Sequence, residues 1–179
     1  MAMAILENEK MKKILFIIAL FISFNLLATE NNTKVVVDGQ YYDWNVYYID
    51  DLSGEKKCYI ASFAKKSIGN YKKERHPYIM IAYFKVKEVE ELSVFADYDY
   101  KLKSSIYVGI DNKQYRMFTK DKMAWTKSTQ EDKNMIKELL KAKEIRTRGE
   151  TINGEYTVDT FSTDGLGRAY KRMRELCED

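Results

Sequence analysis

From Val35 to Phe161 the chain is cut into short runs of alternating apolar and polar residues, most of them ended by Asp, Asn or Gly. A period of two turns one face of an extended strand inward and the other outward, and the punctuation stops each strand early. About eight to ten such strands at close spacing, with few helices, point to a mainly β fold, a β-sandwich or barrel-like single domain, and not to alternating βαβ units. Pro77 is the only proline, and no repeat or Gly/Ser linker divides the chain.

The runs can be placed in order. Val35 to Val37 and Asp43 to Ile49 read as strands joined by an Asp38-Gly39 turn, with Trp44, Val46 and Tyr48 on one face. Residues 51 to 55, with Gly54, form another turn. Cys58 to Phe63 resumes the alternation, so Cys58 points the same way as Ile60. Tyr78 to Phe84 is apolar on both faces and is expected to be covered on both sides. Leu92 to Ala96, Ile106 to Ile110, Tyr115 to Phe118 and Met123 to Trp125 follow as strands. Asn153-Gly154 tolerates positive φ at both turn positions, which makes Glu144 to Phe161 the clearest hairpin, with Gly149 read as a bulge.

Two helices interrupt this pattern. Ser128 and Glu131 have capping-box spacing ahead of the apolar stripe Met135, Ile136, Leu139 and Leu140. The last helix is expected to start near Asp164 and to carry Leu166, Ala169, Tyr170, Met173, Leu176 and Cys177 on one face. The fold therefore has one internal and one C-terminal helix.

The first residues carry an address. Lys12 and Lys13 precede an apolar run from Ile14 to Leu27, then Ala28 and a polar stretch, which is the layout of a secretory signal peptide with a start at Met11. Fourteen residues fall short of the roughly 20 that span a bilayer. Residues 1–28 are therefore expected to be removed, leaving 29–179 as one mature β-rich domain in the periplasm or against the outer membrane. Their removal takes away Lys10, Lys12, Lys13, Glu7 and Glu9 and leaves a formal charge of +2. That balance offers no field for nucleic acid. Outside the cytoplasm the two cysteines, Cys58 and Cys177, are expected to pair; two separate thiols and pairing with another molecule are the competing readings.

Catalytic signals are sparse. His76 is the only histidine and reads as a loop residue. Asp97 with Asp99, and Asp159 with Asp164, lack the spacing of an acid/base pair or a cation site. Gly165-Leu166-Gly167 lacks the glycine spacing of nucleotide motifs, so close packing of a helix start explains it. Nothing indicates a cofactor, a metal or an enzyme. Neighbouring tyrosines on one strand point to opposite faces, so one of each pair Tyr41-Tyr42 and Tyr47-Tyr48 is expected to be exposed; Tyr98 and Tyr100 form a third aromatic cluster and are the candidate binding residues.

The order of the pieces resembles the invasion-associated locus B family of exported bacterial proteins. The matching residues are Trp44 with Val46, Lys57 to Ser62, Lys65-Lys66-Ser67 with Gly69, Pro77-Tyr78, and Tyr98 to Lys101. They continue through Ser105 to Asp111, Phe118-Thr119, Ala124-Trp125, Arg148-Gly149, Asp159 to Ser162, Gly165, Ala169-Tyr170 and Cys177. Asp97, Glu150 to Glu155 and the segment from Gly165 to Ala169 depart from the family pattern. The resemblance implies a mainly β exported domain, periplasmic or outer-membrane associated, related to proteins linked with invasion of host cells. No catalytic residue carries over. The implied task is binding an envelope or host-surface protein, with a periplasmic small-molecule or lipid binder as the alternative.

Overall fold

The computed structural model describes residues 34–50 and 56–178. The signal peptide, the Thr29 start and the 51–55 turn lie outside them. Eleven strands form one antiparallel sheet: β1 (Lys34–Tyr41), β2 (Trp44–Asp50), β3 (Lys56–Phe63), β4 (Lys66–Gly69), β5 (Tyr78–Phe84), β6 (Val89–Phe95), β7 (Ser105–Ile110), β8 (Lys113–Lys120), β9 (Met123–Trp125), β10 (Ile145–Glu150) and β11 (Tyr156–Phe161). The helices are α1 (Thr129–Leu139) and α2 (Leu166–Glu178). The spatial order is β1-β2-β3-β5-β6-β9-β8-β7-β10-β11-β4. Only Ala64 and Lys65 separate β3 from β4, yet β4 pairs with β11 at the far edge, so the sheet coils back toward its own third strand without closing into a barrel.

The core lies on the inner face of this coil. Trp44, Val46, Ile60, Ile79, Ile81, Leu92, Ile106 and Val108 are at most 1% exposed, each on the inward parity of its strand. The Trp44 indole also donates to the Ser162 carbonyl at 3.0 Å, which satisfies its one polar atom inside the core. The helix α2 packs on β2 and β3 through Leu166, Ala169, Met173 and Cys177. Helix α1 packs on β6 through Met135, Ile136 and Leu139.

The α1 start follows the capping rule with one change. Ser128 Oγ accepts from Glu131 N at 3.2 Å, while Glu131 Oε2 accepts from Lys127 N at 3.0 Å, one residue earlier than the standard box. Near α2, Gly165 sits at φ +89°, and a Cβ there would stand 1.8 Å from the Tyr41 carbonyl oxygen. Close packing is thus the reason for that glycine. Asp164 does not cap: its backbone N donates to Ser162 Oγ and its carbonyl receives Asp43 N.

Three expectations are corrected. The first turn is not at Asp38-Gly39, where β1 carries a bulge, but at Tyr42-Asp43, with Tyr42 at φ 54°. Asp38 faces α2, where Arg172 donates to both carboxylate oxygens at 2.8 and 2.7 Å and holds the acid below the ordinary carboxylate range. Gly149 is not a bulge, since β10 and β11 pair in continuous register. It is instead a gap: a Cβ there would meet Tyr98 Oη and Tyr100 Cε1, both at 2.7 Å. Gly149→Ala is therefore expected to cost about 1–3 kcal/mol by overpacking. A denaturant midpoint equal to that of the parent protein would refute this account.

Thirdly, the expectation that β5 is covered on both sides is met on its inner face only. Ile79, Ile81 and Tyr83 enter the core, whereas Tyr78, Met80 and Phe84 on the other face are half-buried.

Candidate functional site

That outer face is the strongest candidate site. Register places Tyr47 beside Tyr59 and Ala82, Ala61 beside Met80, and Phe63 beside Tyr78 and Phe95. These side chains come from β2, β3, β5 and β6 and share the outward parity. Apart from Phe95, which stacks on Tyr78, they line an open, mainly apolar concavity of about 470 Å³, bounded by Ile49, Lys57 and Phe84. Val35 and Val37 of β1, 51% and 60% exposed, pair with Ile49 and Tyr47 and extend the apolar surface to the sheet edge.

Its aromatic floor is preassembled. Tyr47 stacks on Tyr59 at 4.9 Å and Tyr78 on Phe95 at 4.8 Å, while Phe63 meets Tyr78 edge-on at 5.9 Å. Rings held this way give up little conformational entropy when a partner covers them. Burial raises the Tyr59 and Tyr78 phenols above the usual tyrosine range, so both remain hydrogen-bond donors at neutral pH. An exposed apolar patch rimmed by polar atoms is the usual mark of a docking surface. The sequence signal was the doubly apolar run from Tyr78 to Phe84, whose outer half the described residues leave open.

Of the tyrosines singled out from sequence, Tyr47 lies in this groove and Tyr98 and Tyr100 fall elsewhere. Tyr98 and Tyr100 are each 5% exposed and belong to the core, so neither supplies an exposed binding surface. The segment holding them is not a strand: Asp97 takes φ 60° and turns the chain inward. Burial pushes the Tyr98 phenol up to about 12 and lifts Tyr100 well above its ordinary value. Tyr98 Oη shares a 2.8 Å hydrogen bond with Thr157 Oγ1. Cys58 and Cys177 form a disulfide with Cα atoms 5.9 Å apart. It joins β3 to the last turn of α2, and Lys56 Nζ and Lys85 Nζ donate to the carbonyls of Leu176 and Glu178 beside it. His76 is an exposed loop residue whose backbone N donates to Asp97 Oδ2 at 3.0 Å.

Neither acidic pair forms a site. Asp97 and Asp99 are not aligned on a strand, and Asp159 is buried against Arg75 while Asp164 is exposed. Two acids not singled out from sequence, Glu91 and Asp132, do line one hollow at the start of α1, and burial raises both. Asp132 is engaged by a protein donor, Leu92 N to Asp132 Oδ1 at 2.9 Å, and the Trp125 side chain lines the hollow beside Glu91. The evident work of Asp132 is to fasten α1 to β6. Among the described residues no cluster of three His, Cys, Asp or Glu could hold a metal, and no helix is long and apolar enough to cross a membrane.

Fold and site together define a coiled antiparallel β domain with two packed helices, a disulfide and an outward aromatic groove. The fold is similar to that of a solved structure, invasion associated protein b from Bartonella henselae. It aligns with a TM-score of 0.56 over 80% of this chain and 99% of its own, at 12% identity, which makes the likeness one of fold. No family model matches the chain, and no curated protein matches it significantly.

Proposed function

We propose that this is an exported cell-envelope protein of the invasion-associated locus B type, which acts without catalysis by binding another protein through the aromatic groove and contributes to invasion of host cells. The groove carries the reading: a preassembled apolar surface across three strands, open to solvent, fits a partner's apolar segment. Support also comes from the fold likeness, from the spread of family-like residues along the chain, and from a disulfide suited to an oxidising compartment. One observation favours the second reading, a small-molecule or lipid binder, because 470 Å³ lies within the range of ligand pockets.

The experiment is site-specific photocrosslinking in the native cell. A crosslinker at Phe63, which is 51% exposed in the groove, should yield one discrete adduct. A crosslinker at Gln130, exposed on α1, should not. Ile49→Asp should reduce the Phe63 adduct about tenfold or more, since a carboxylate would have to be desolvated in the interface. Equal adducts from both positions, or none from either, would count against the reading. A stoichiometric lipid extracted from the purified protein and lost in Ile49→Asp would favour the second.

A further inference from the structure

We infer that the opposite half of the sheet carries a second recognition surface, for an anionic polysaccharide, built on Arg116 and Arg148. Lysines and arginines are scattered along the chain, but the ladders of β8, β7, β10, β11 and β4 gather several of them. Pairing sets Arg116 beside Tyr107, Tyr107 beside Arg148, and Arg148 beside Val158. The next row brings Arg146 beside Gly109 and Thr160, with Lys66 beyond. All lie on the outward parity, since Ile106, Val108, Ile145, Thr147 and Met117 take the core side. Glu150 is the only acid at an outward position of these five strands, and Lys101 already holds it at 2.8 Å.

The two guanidinium groups are prepared for a ligand. Arg116 lies over the Tyr107 ring at 5.7 Å and Arg148 over Tyr156 at 5.2 Å. Neither has a carboxylate partner among the described residues, unlike Arg146, which pairs with Glu144 at 2.8 Å. A guanidinium resting on a ring keeps its planar N–H fork, which suits bidentate contact with sulfate, phosphate or carboxylate. Tyr107 and Tyr156, 41% and 42% exposed, add apolar surface and hydroxyls on which sugar rings can rest. Gly109 leaves a gap beside this row, part of a hollow of about 340 Å³ lined by Arg146 and Arg148 together with Asp111, whose carboxylate accepts from Lys143 N and Glu144 N, and Glu144, which pairs with Arg146.

Geometry selects the polymer. Arg148 and Arg116 stand two strand spacings apart, about 10 Å, which is the run of two sugar rings and so of one charged group per disaccharide. The whole strip from Tyr156 to Arg116 crosses four strands, about 14 Å, more than a single small anion would use. The exposed Phe118 and Ile68 share this face, so a bilayer is the competing surface, which the vesicle arm of the test decides. A nucleic-acid strand presents one phosphate about every 3.4 Å, a closer repeat than the separation of these two forks offers. Alternating forks and rings match a chain that alternates charge and sugar face.

The test uses the full-length secreted protein and heparin as the sulfated probe. Neutral dextran and vesicles of equal parts phosphatidylcholine and phosphatidylglycerol form the other arms. Heparin should bind with an affinity that falls as salt rises, and dextran should not bind. Arg116→Ala with Arg148→Ala should weaken heparin about tenfold or more while the thermal midpoint stays in place, because both side chains are exposed. Arg116→Lys with Arg148→Lys should recover only part of the loss, since charge returns without the fork. Heparin binding unchanged by either double variant overturns the inference, as does tighter binding to the vesicles than to heparin. The groove variant Ile49→Asp should bind heparin normally, which separates this surface from the one proposed above.

Discussion

Arg75→Met is expected to lower stability by about 3–5 kcal/mol, seen as a fall in the denaturant midpoint at unchanged slope and a drop of order 10 °C in thermal midpoint. Arg75 reaches from the 70–77 loop to Asp159 on β11, and the two side chains are 5% and 4% exposed. Its Nη1 donates to Asp159 Oδ2 at 2.8 Å and to the Ala96 carbonyl at 3.2 Å, and Nη2 donates to Asp159 Oδ1. The guanidinium also lies over the Tyr98 ring at 5.5 Å. Removing the cation would leave a carboxylate buried beside Tyr98 and Tyr100 with no compensating charge.

The pair itself is not expected to be a net source of stability, since desolvating two ions offsets most of their attraction. Arg75→Met combined with Asp159→Leu should therefore recover most of the single-variant loss. A double variant no more stable than Arg75→Met would show that the guanidinium acts by packing and not by neutralising Asp159. A loss below about 1 kcal/mol for Arg75→Met alone would place the pair in water instead of the core.

Loss of the Cys58–Cys177 disulfide should have an effect of similar size. The bridge closes a loop with a sequence separation of 119, worth about 5 kcal/mol in the chain-entropy treatment. Cys58→Ala with Cys177→Ala should show it as a lower denaturant midpoint, and amide exchange should rise first along α2. That helix keeps the Arg172–Asp38 pair and the Glu90 contacts of Tyr170 and Arg174, so it should loosen before the sheet unfolds. Identical midpoints with and without reductant would end the claim that the bridge pins α2. Free thiols in the folded protein would do the same.

Both effects bear on how the chain could be read. Cysteine facing was legible because Cys58 shares parity with Ile60, and Cys177 falls on the stripe of Met173 and Ala169; all three of these neighbours are buried. Asn153-Gly154 placed the β10–β11 hairpin and Ser128 placed α1, since turn and cap chemistry act within a few residues. Tyr98 and Tyr100 misled because alternation presumes a strand, whereas Asp97 at φ 60° breaks it and Gly149 opens a slot for their rings. The first turn was misplaced for a related reason. Asp38-Gly39 has turn chemistry, but Arg172, 134 residues away, uses the aspartate to hold a bulge.

The groove was half legible. A run apolar on both faces announces that something covers each side, but periodicity cannot say whether the cover is the chain's own. Local patterning thus determined sidedness, most of the strands, helix starts and the inward aim of both cysteines, because each depends on backbone periods of two or 3.6 and on nearby hydrogen bonds; it put the strands at about eight to ten, whereas the sheet has eleven, with the short edge strand β4 unread. Tertiary structure alone decided that Arg75 meets Asp159 across 84 residues, that Gly149 admits two tyrosines, and that dispersed arginines share a face. Those outcomes depend on which strands become neighbours, and that is settled by the packing of the whole core.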